Sequence, residues 1–227
     1  MISNALRILT PRIISGFSLG ILSLMVLTIT PSAGAQTSEG HKFNFNVGAG
    51  VTPLVGDISA RLNTGWHVTI GGGYNFVPSF GVDVEYMYTG LGVNQSVLNQ
   101  LSVPNGDARV HSITIDPIFR FKRGERFGAY AIVGAGYYRR TVEFFQPTTA
   151  VVDVFDPWWG YIGPVIVPVN QILGSVTSNA GGFNAGLGTT INLGGSGLKF
   201  YGEVRYHYAN THRSRTQMLP ITFGVRW

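Results

Sequence analysis

The segment Lys199–Tyr208 sorts its side chains into two opposite kinds. Most even-numbered positions are apolar or aromatic, whereas odd-numbered positions carry the ionisable residues Lys199, Glu203, Arg205 and His207. Because side chains alternate between the two faces of a β-strand, one face of this strand is apolar and the other is charged. A strand needs this division when its outer face contacts lipid and its inner face does not.

The same alternation recurs along the chain and predicts eight strands. Seven of them divide cleanly into an apolar and a polar face, whereas the segment Phe127–Glu143 has small residues and tyrosines on both faces, which leaves its facing open. The predicted strands are His41–Val51, Gly65–Asn75, Phe80–Thr89, Arg109–Phe121, Phe127–Glu143, Asn179–Leu193, Lys199–Tyr208 and Met218–Trp227.

The connections between these strands alternate in length. Those after the second, fourth and sixth strands are short, and those after the first, third, fifth and seventh are long. Turns at one end and loops at the other are typical of an antiparallel up-and-down barrel. Closure leaves no sheet edge, which a bilayer requires because it offers backbone groups no water. The sequence therefore predicts an all-β fold: an eight-stranded antiparallel up-and-down transmembrane β-barrel.

The interior of such a barrel is just wide enough to be filled by its own side chains. The predicted inward set contains four acids and four bases, and we expect them to pair, since an unpaired buried ion is costly. The alternative is a soluble sheet whose charges face water and whose other face packs on a core. The predicted lumen charge network is Asp83, Glu85, Asp116, Arg120, Lys199, Glu203, Arg205 and Arg226.

The first 35 residues have the pattern of a secretory signal peptide. Arg7 and Arg12 precede the apolar run Ile13–Thr30, and Ala33-Gly34-Ala35 supplies the small-x-small cleavage pattern. We expect cleavage before Gln36, which leaves residues 36–227 as one barrel domain. The alternative is a retained transmembrane helix, for which this run is close to the minimum length.

Composition excludes several classes of function. The net charge of +5 comes without a run of Lys or Arg, so we expect no nucleic-acid partner. The chain has no cysteine, which excludes disulfides and Cys-ligated metals, and no motif predicts a cofactor. Asp83 and Glu85 share a face and could form a catalytic pair. No G-x-S-x-G or H-E-x-x-H motif accompanies them, so we interpret them as structural and predict no catalytic or metal site.

The end of the chain carries the most specific motif. In Leu219–Trp227, apolar residues alternate and finish with a terminal aromatic. With its eight strands, the chain resembles the small outer-membrane β-barrels that include OmpX and the transmembrane domain of OmpA. This resemblance implies a bacterial outer-membrane location and insertion by the barrel-assembly machinery, with Phe223, Val225 and Trp227 as the assembly signal. Phe is the usual last residue in that family, so Trp227 departs from its pattern.

The long connection 144–178 is too apolar for an ordinary solvated loop. Exposed Trp and Tyr residues often mark recognition surfaces, so Trp158, Trp159 and Tyr161 are candidates for contact with an unknown surface partner. The alternative is that the flanking strands extend past the membrane and the segment packs on itself or on the barrel mouth.

Five arginines lie at or beyond the long-loop end of the predicted barrel. Guanidinium groups match phosphate geometry, so these residues are candidates for contact with lipopolysaccharide, and a solvated rim is the alternative. They are Arg61, Arg139, Arg140, Arg213 and Arg215.

Together these features predict an outer-membrane anchor that presents loops for structural or surface interactions. Three alternatives remain: a narrow pore for ions or very small solutes, a barrel enzyme acting on lipid or peptide, and a soluble ligand-carrying barrel.

Overall fold

The computed structural model describes residues 42–123, 126–158, 160–193, 197–211 and 215–227. The predicted signal peptide, including its cleavage site, and His41 lie outside these residues. Within them, no helix is long and apolar enough to cross a bilayer. The described strands are β1 (Phe43–Thr52), β2 (Gly65–Val77), β3 (Phe80–Gly92), β4 (Asn105–Arg123), β5 (Phe127–Asp156), β6 (Tyr161–Asn192), β7 (Lys199–Ala209), β8 (Thr216–Met218) and β9 (Ile221–Arg226).

These strands form one antiparallel ring. Each of β1 to β6 pairs with the strand that follows it, β7 pairs with both β8 and β9, and β9 pairs back to β1. The last predicted strand is divided into β8 and β9 at Leu219–Pro220, because proline cannot donate a ladder hydrogen bond. Since β8 and β9 together occupy one position, the ring has eight strands, as the sequence predicted.

Alternation decides which side chains enter the barrel. In β1 the asparagines Asn44 and Asn46 are buried while Phe43 and Phe45 are exposed on the outside. In β5, whose facing the sequence left open, Tyr130, Ile132 and Tyr138 are buried and point inward.

The outer surface is apolar and has aromatic residues at both ends. Near the short turns, Phe76 and Phe119 are exposed and Phe80 is half-buried, and Trp66 and Tyr86 are exposed toward the long connections. Such aromatic girdles at the two interfaces are characteristic of membrane-spanning barrels.

The first two long connections fold over the mouth of the barrel. One contains a 3₁₀ helix (Gly56–Ala60) and the other the helix α1 (Gln95–Leu101), whose first turn is capped by Asn94. Their apolar side chains pack with inward residues at the strand ends into one cluster, which we call the lid. Its buried members are Ile58, Leu62, Met87, Leu91, Val93, Leu98, Ala108, Val110, Tyr138, Ala209 and Met218.

The segment 144–178, drawn from the sequence as a connection, is mostly regular strand. β5 and β6 remain paired from Phe127–Ile191 to Asp156–Tyr161, with one irregularity between Phe144 and Phe145. Of the two alternatives, the structure has strands that extend beyond the barrel and pair with each other. Three prolines in the paired part of this segment (Pro147, Pro164 and Pro168) weaken the sequence pattern of a strand, which explains why the boundaries at Glu143 and Asn179 were wrong.

Candidate functional site

The centre of the lumen is organised by one guanidinium group. Arg205 on β7 is buried and donates to Glu85 Oε2 of β3 at 2.9 Å and to Asp116 Oδ2 of β4 at 3.2 Å. It also bonds to Glu203, two residues earlier on the same inward face. One cation therefore joins carboxylates from three strands across the barrel.

Neutral donors complete the bonding of these carboxylates. Asp116 accepts hydrogen bonds from Asn184 Nδ2 and Thr114 Oγ1, both at 2.7 Å. Glu203 accepts one from Tyr130 Oη at 2.7 Å. A buried ion is tolerated when it is paired and its remaining lone pairs are bonded, and this cluster meets that condition.

A second ion pair lies beside the first. Arg226 Nη2 on β9 is 3.2 Å from Asp83 Oδ2, and Asn44 Nδ2 donates to the same carboxylate at 3.1 Å. The Arg226 guanidinium also lies 5.3 Å from the ring centroids of both Tyr130 and Tyr201. Cation–π contacts of this kind are strongest where water is excluded.

The eight residues of the predicted lumen network therefore fall into two groups. Arg120 and Lys199 are half-buried near the short-turn end, outside the central cluster. The other six are buried in the lumen: Asp83, Glu85, Asp116, Glu203, Arg205 and Arg226. Four acids thus surround two arginines. The predicted network had equal numbers of acids and bases, and that balance did not reveal this geometry.

Several buried polar side chains were not singled out from the sequence. His67 hydrogen-bonds with Thr52 Oγ1 and Thr222 Oγ1, each at 2.9 Å, and His207 hydrogen-bonds with Tyr138 Oη at 2.9 Å. The available signal was that both histidines occupy inward-facing positions in the alternation of their strands. In the part of the chain that the structure describes, no group of three or more His, Asp or Glu is arranged to hold a metal ion.

The second feature that an ordinary barrel lacks is the part of the β5–β6 ladder from Gln146 to its partner Gln171, which we call the hairpin. β4 stops pairing with β5 at Phe145, so among the described residues the hairpin has no further strand on that side. Eleven residues of β5 extend beyond that point (Gln146–Asp156), which corresponds to roughly 35 Å.

Both faces of the hairpin are apolar and exposed. Paired residues share a face, and the pairs alternate between the two faces. One face carries Val151, Phe155, Ile162 and Ile166, and the other carries Val152, Val154, Tyr161 and Val165. At the tip, Trp158 is 90% exposed and Tyr161 is 61% exposed. The third recognition candidate, Trp159, lies outside the described residues.

The candidate lipopolysaccharide-contact arginines do not form one surface. Arg61 and Arg215 are exposed at the mouth, Arg139 is exposed on the outer wall, and Arg213 lies outside the described residues. Arg140 lies on the inward face of β5 at the mouth, where its Nη1 donates to Thr216 Oγ1 at 3.0 Å.

The residues proposed as an assembly signal lie on the closing strand. Phe223 and Trp227 are exposed on the outer wall, and the Trp227 backbone exchanges two hydrogen bonds with Phe45 of β1, at 2.9 and 3.0 Å. The end of the chain thus helps to seal the first strand to the last.

A closed antiparallel cylinder with an apolar outer wall, aromatic girdles and a charged interior is an integral outer-membrane barrel. The chain belongs to the outer membrane protein beta-barrel domain family, whose model matches residues 19–226. Membership in this family places the protein in the bacterial outer membrane.

Solved structures with similar folds are small barrels of the same kind. The chain is similar to Neisserial surface protein A (14% identity, TM-score 0.51, covering 82% of this chain and 96% of that one). It is also similar to Ail, the attachment invasion locus protein of Yersinia pestis, crystallised with the heparin analogue sucrose octasulfate (17% identity, TM-score 0.48, 82% and 100% covered). No curated protein matches the chain. At these identities the likeness concerns the fold alone.

Proposed function

We propose that the protein is a closed outer-membrane anchor that holds the hairpin outside the cell to contact another surface. The observation that carries this proposal is the hairpin, which projects beyond the barrel with apolar side chains on both faces. The predicted signal peptide supports export to this location, and the closing strand with Phe223, Val225 and Trp227 supports recognition by the barrel-assembly machinery.

The filling of the lumen supports an anchor rather than a pore. At the short-turn end, Ile118, Tyr130 and Ile132 pack as an apolar cluster. The Arg205 cluster occupies the middle, and the lid covers the mouth. The buried carboxylates are bonded to arginines, which supports a structural rather than a catalytic role.

We expect no discrete conductance steps when the purified protein is inserted into a planar lipid bilayer. The physical reason is that ions would have to pass an apolar lid and a cluster of paired charges. A porin inserted under the same conditions serves as the positive control. Stable unitary currents from the wild-type protein would refute the closed lumen and favour a narrow pore.

The charge of the hairpin restricts its partner. Residues 146–171 contain Asp153 and Asp156 but no Lys, Arg or His. Polyanions and anionic lipids are bound through arginine and lysine, so this surface does not fit them. An apolar or zwitterionic partner fits it.

The edges of the hairpin also restrict the mode of binding. An added strand needs N–H donors along an open edge, and Pro147, Pro164 and Pro168 have none. In the β5–β6 ladder these prolines pair with Asn170, Asp153 and Thr149, respectively. The three pairs are an even number of residues apart, so all three belong to the same one of the two alternating kinds of antiparallel pair. Since that ladder is continuous there, the proline nitrogens lie on the outer edges and oppose strand addition by a protein partner.

The tip chemistry favours a membrane. Trp and Tyr partition to the interface of a bilayer, where an apolar ring meets the polar headgroups. The hairpin presents Trp158, Tyr161 and Phe155 at its far end. We therefore propose that the partner is the zwitterionic bilayer of another cell.

Replacing Trp158 and Tyr161 together by Ser should weaken binding to phosphatidylcholine vesicles by roughly ten-fold or more, because each ring contributes about 1.5 kcal/mol or more on burial. The measurement is flotation of the vesicles with the protein held in nanodiscs. Trp66→Ser is the matched control, since it removes an exposed Trp of the barrel wall. Equal binding by the tip variant, or stronger binding of the wild type to heparin than to these vesicles, would contradict the proposal.

A further inference from the structure

The outer wall of β3, β4 and β5 changes from apolar to basic over a few rungs of the sheet. Val84, Ile115 and Ala135 form one outward rung, and Tyr86, Ile113 and Tyr137 form the next toward the loops. The following rungs bring in His111 with Arg139, and then Arg109 with Thr141. Along this one face, an apolar rung is thus followed by a rung with two tyrosines and then by rungs that carry the basic residues.

The residues of the last three of these rungs line a groove of about 520 Å³ on the outside of the barrel, and the Val84 rung lies below it. Arg139 is exposed there and has no carboxylate partner among the described residues. Arg109 is held by Glu143, whose Oε2 lies 3.3 Å from its Nη2. Tyr86 Oη hydrogen-bonds with His111 Nδ1 at 2.8 Å, which fixes both rings in the floor of the groove.

We infer that this groove binds the phosphate of an outer-leaflet lipid, and that the lipid is lipopolysaccharide. Guanidinium forks bind phosphate oxygens with paired hydrogen bonds. The basic rungs lie directly above the outward aromatic rung, which is the level of the lipid headgroups. The apolar rungs below offer a surface to the several acyl chains of the same molecule.

The groove lies outside the hairpin, and it narrows the set of basic residues expected at the membrane surface. It selects Arg139 and adds Arg109 and His111. It leaves out Arg61 and Arg215, which do not line the groove.

The test measures lipid binding to the full-length mature protein in phosphatidylcholine nanodiscs. The ligands are lipopolysaccharide, its dephosphorylated form, phosphatidylglycerol and inorganic phosphate. We expect lipopolysaccharide to bind at least about ten-fold more tightly than its dephosphorylated form, since charge-assisted hydrogen bonds are lost with the phosphate. Comparable binding of phosphatidylglycerol or inorganic phosphate would overturn the assignment to lipopolysaccharide.

The variants distinguish binding in the groove from binding by any arginine at the rim of the barrel. Arg109→Gln with Arg139→Gln should lower the affinity for lipopolysaccharide by roughly ten-fold or more. Arg139→Gln alone, which leaves the Arg109–Glu143 pair intact, should lower it measurably in a barrel that folds normally. Arg61→Gln with Arg215→Gln removes the same charge and should leave the affinity unchanged. An equal loss in both double variants, or no loss in either, would overturn the groove as the site.

Discussion

Replacing Arg205 with Met should destabilise the barrel by about 3–5 kcal/mol, because Glu85, Asp116 and Glu203 would remain buried without their shared cation. The expected result is a lower denaturant midpoint, or loss of the folded form altogether. It is measured by urea unfolding in phospholipid vesicles, followed by the difference in gel migration between heated and unheated samples. Arg205→Lys keeps the charge but cannot contact all three carboxylates, so its effect should be intermediate.

Arg61→Met is the matched control for this experiment. The Arg61 side chain is exposed at the barrel mouth, where changes away from packed features shift stability by no more than about 0.5 kcal/mol. If Arg205→Met and Arg61→Met unfolded at the same denaturant concentration, the charge cluster would not be a source of stability.

The second large effect is expected at a glycine of β5. A methyl group at Gly134 would overlap the Asp116 carboxylate and lie 2.7 Å from the Ile115 carbonyl oxygen. Gly134→Ala should therefore cost about 1–3 kcal/mol, and it should also push Asp116 away from Arg205.

Gly181→Ala is the control, since a methyl group there meets no atom of the described residues within 4 Å. Both glycines lie in paired β strands, so a general effect of alanine on strand stability would move both variants alike. A drop in stability that is equal in the two variants would contradict the steric account of Gly134.

The contact at Gly134 also explains why the facing of β5 was not predictable. Periodicity assigns a face only when the inward and outward residues differ in kind. In β5 the inward positions include Gly134, because Asp116 from the neighbouring strand occupies its space. The residue type is set by a side chain distant in sequence, which a pattern along one strand does not contain.

Other parts of the fold were predictable for the opposite reason. β1 and β7 face lipid on one side and charges or asparagines on the other, so a period of two identifies both faces. The number of strands and the ring followed from eight such segments and their alternating connections. The inward charges followed from the same parity, although their pairing did not.

The lid and the length of the hairpin could not be read from the sequence. Ile58, Leu62 and Leu98 are scattered in connections that have no strong periodic pattern, and only the closed ring shows that they meet over its mouth. The hairpin contains prolines that usually mark strand ends. Here they lie on free edges, where the missing donor costs no ladder hydrogen bond.

In β7, the even-numbered side chains face lipid and the odd-numbered side chains face the lumen. Because the chain has no cysteine, single cysteines can be introduced to measure this alternation directly. Single cysteines at Phe200, Val204 and Tyr206, and separately at Tyr201 and His207, can carry a spin label in the protein reconstituted in lipid vesicles. We expect labels at the even positions to collide freely with oxygen dissolved in the bilayer and labels at the odd positions to be shielded. High oxygen accessibility at Tyr201 and His207, or no alternation along β7, would contradict the barrel described here.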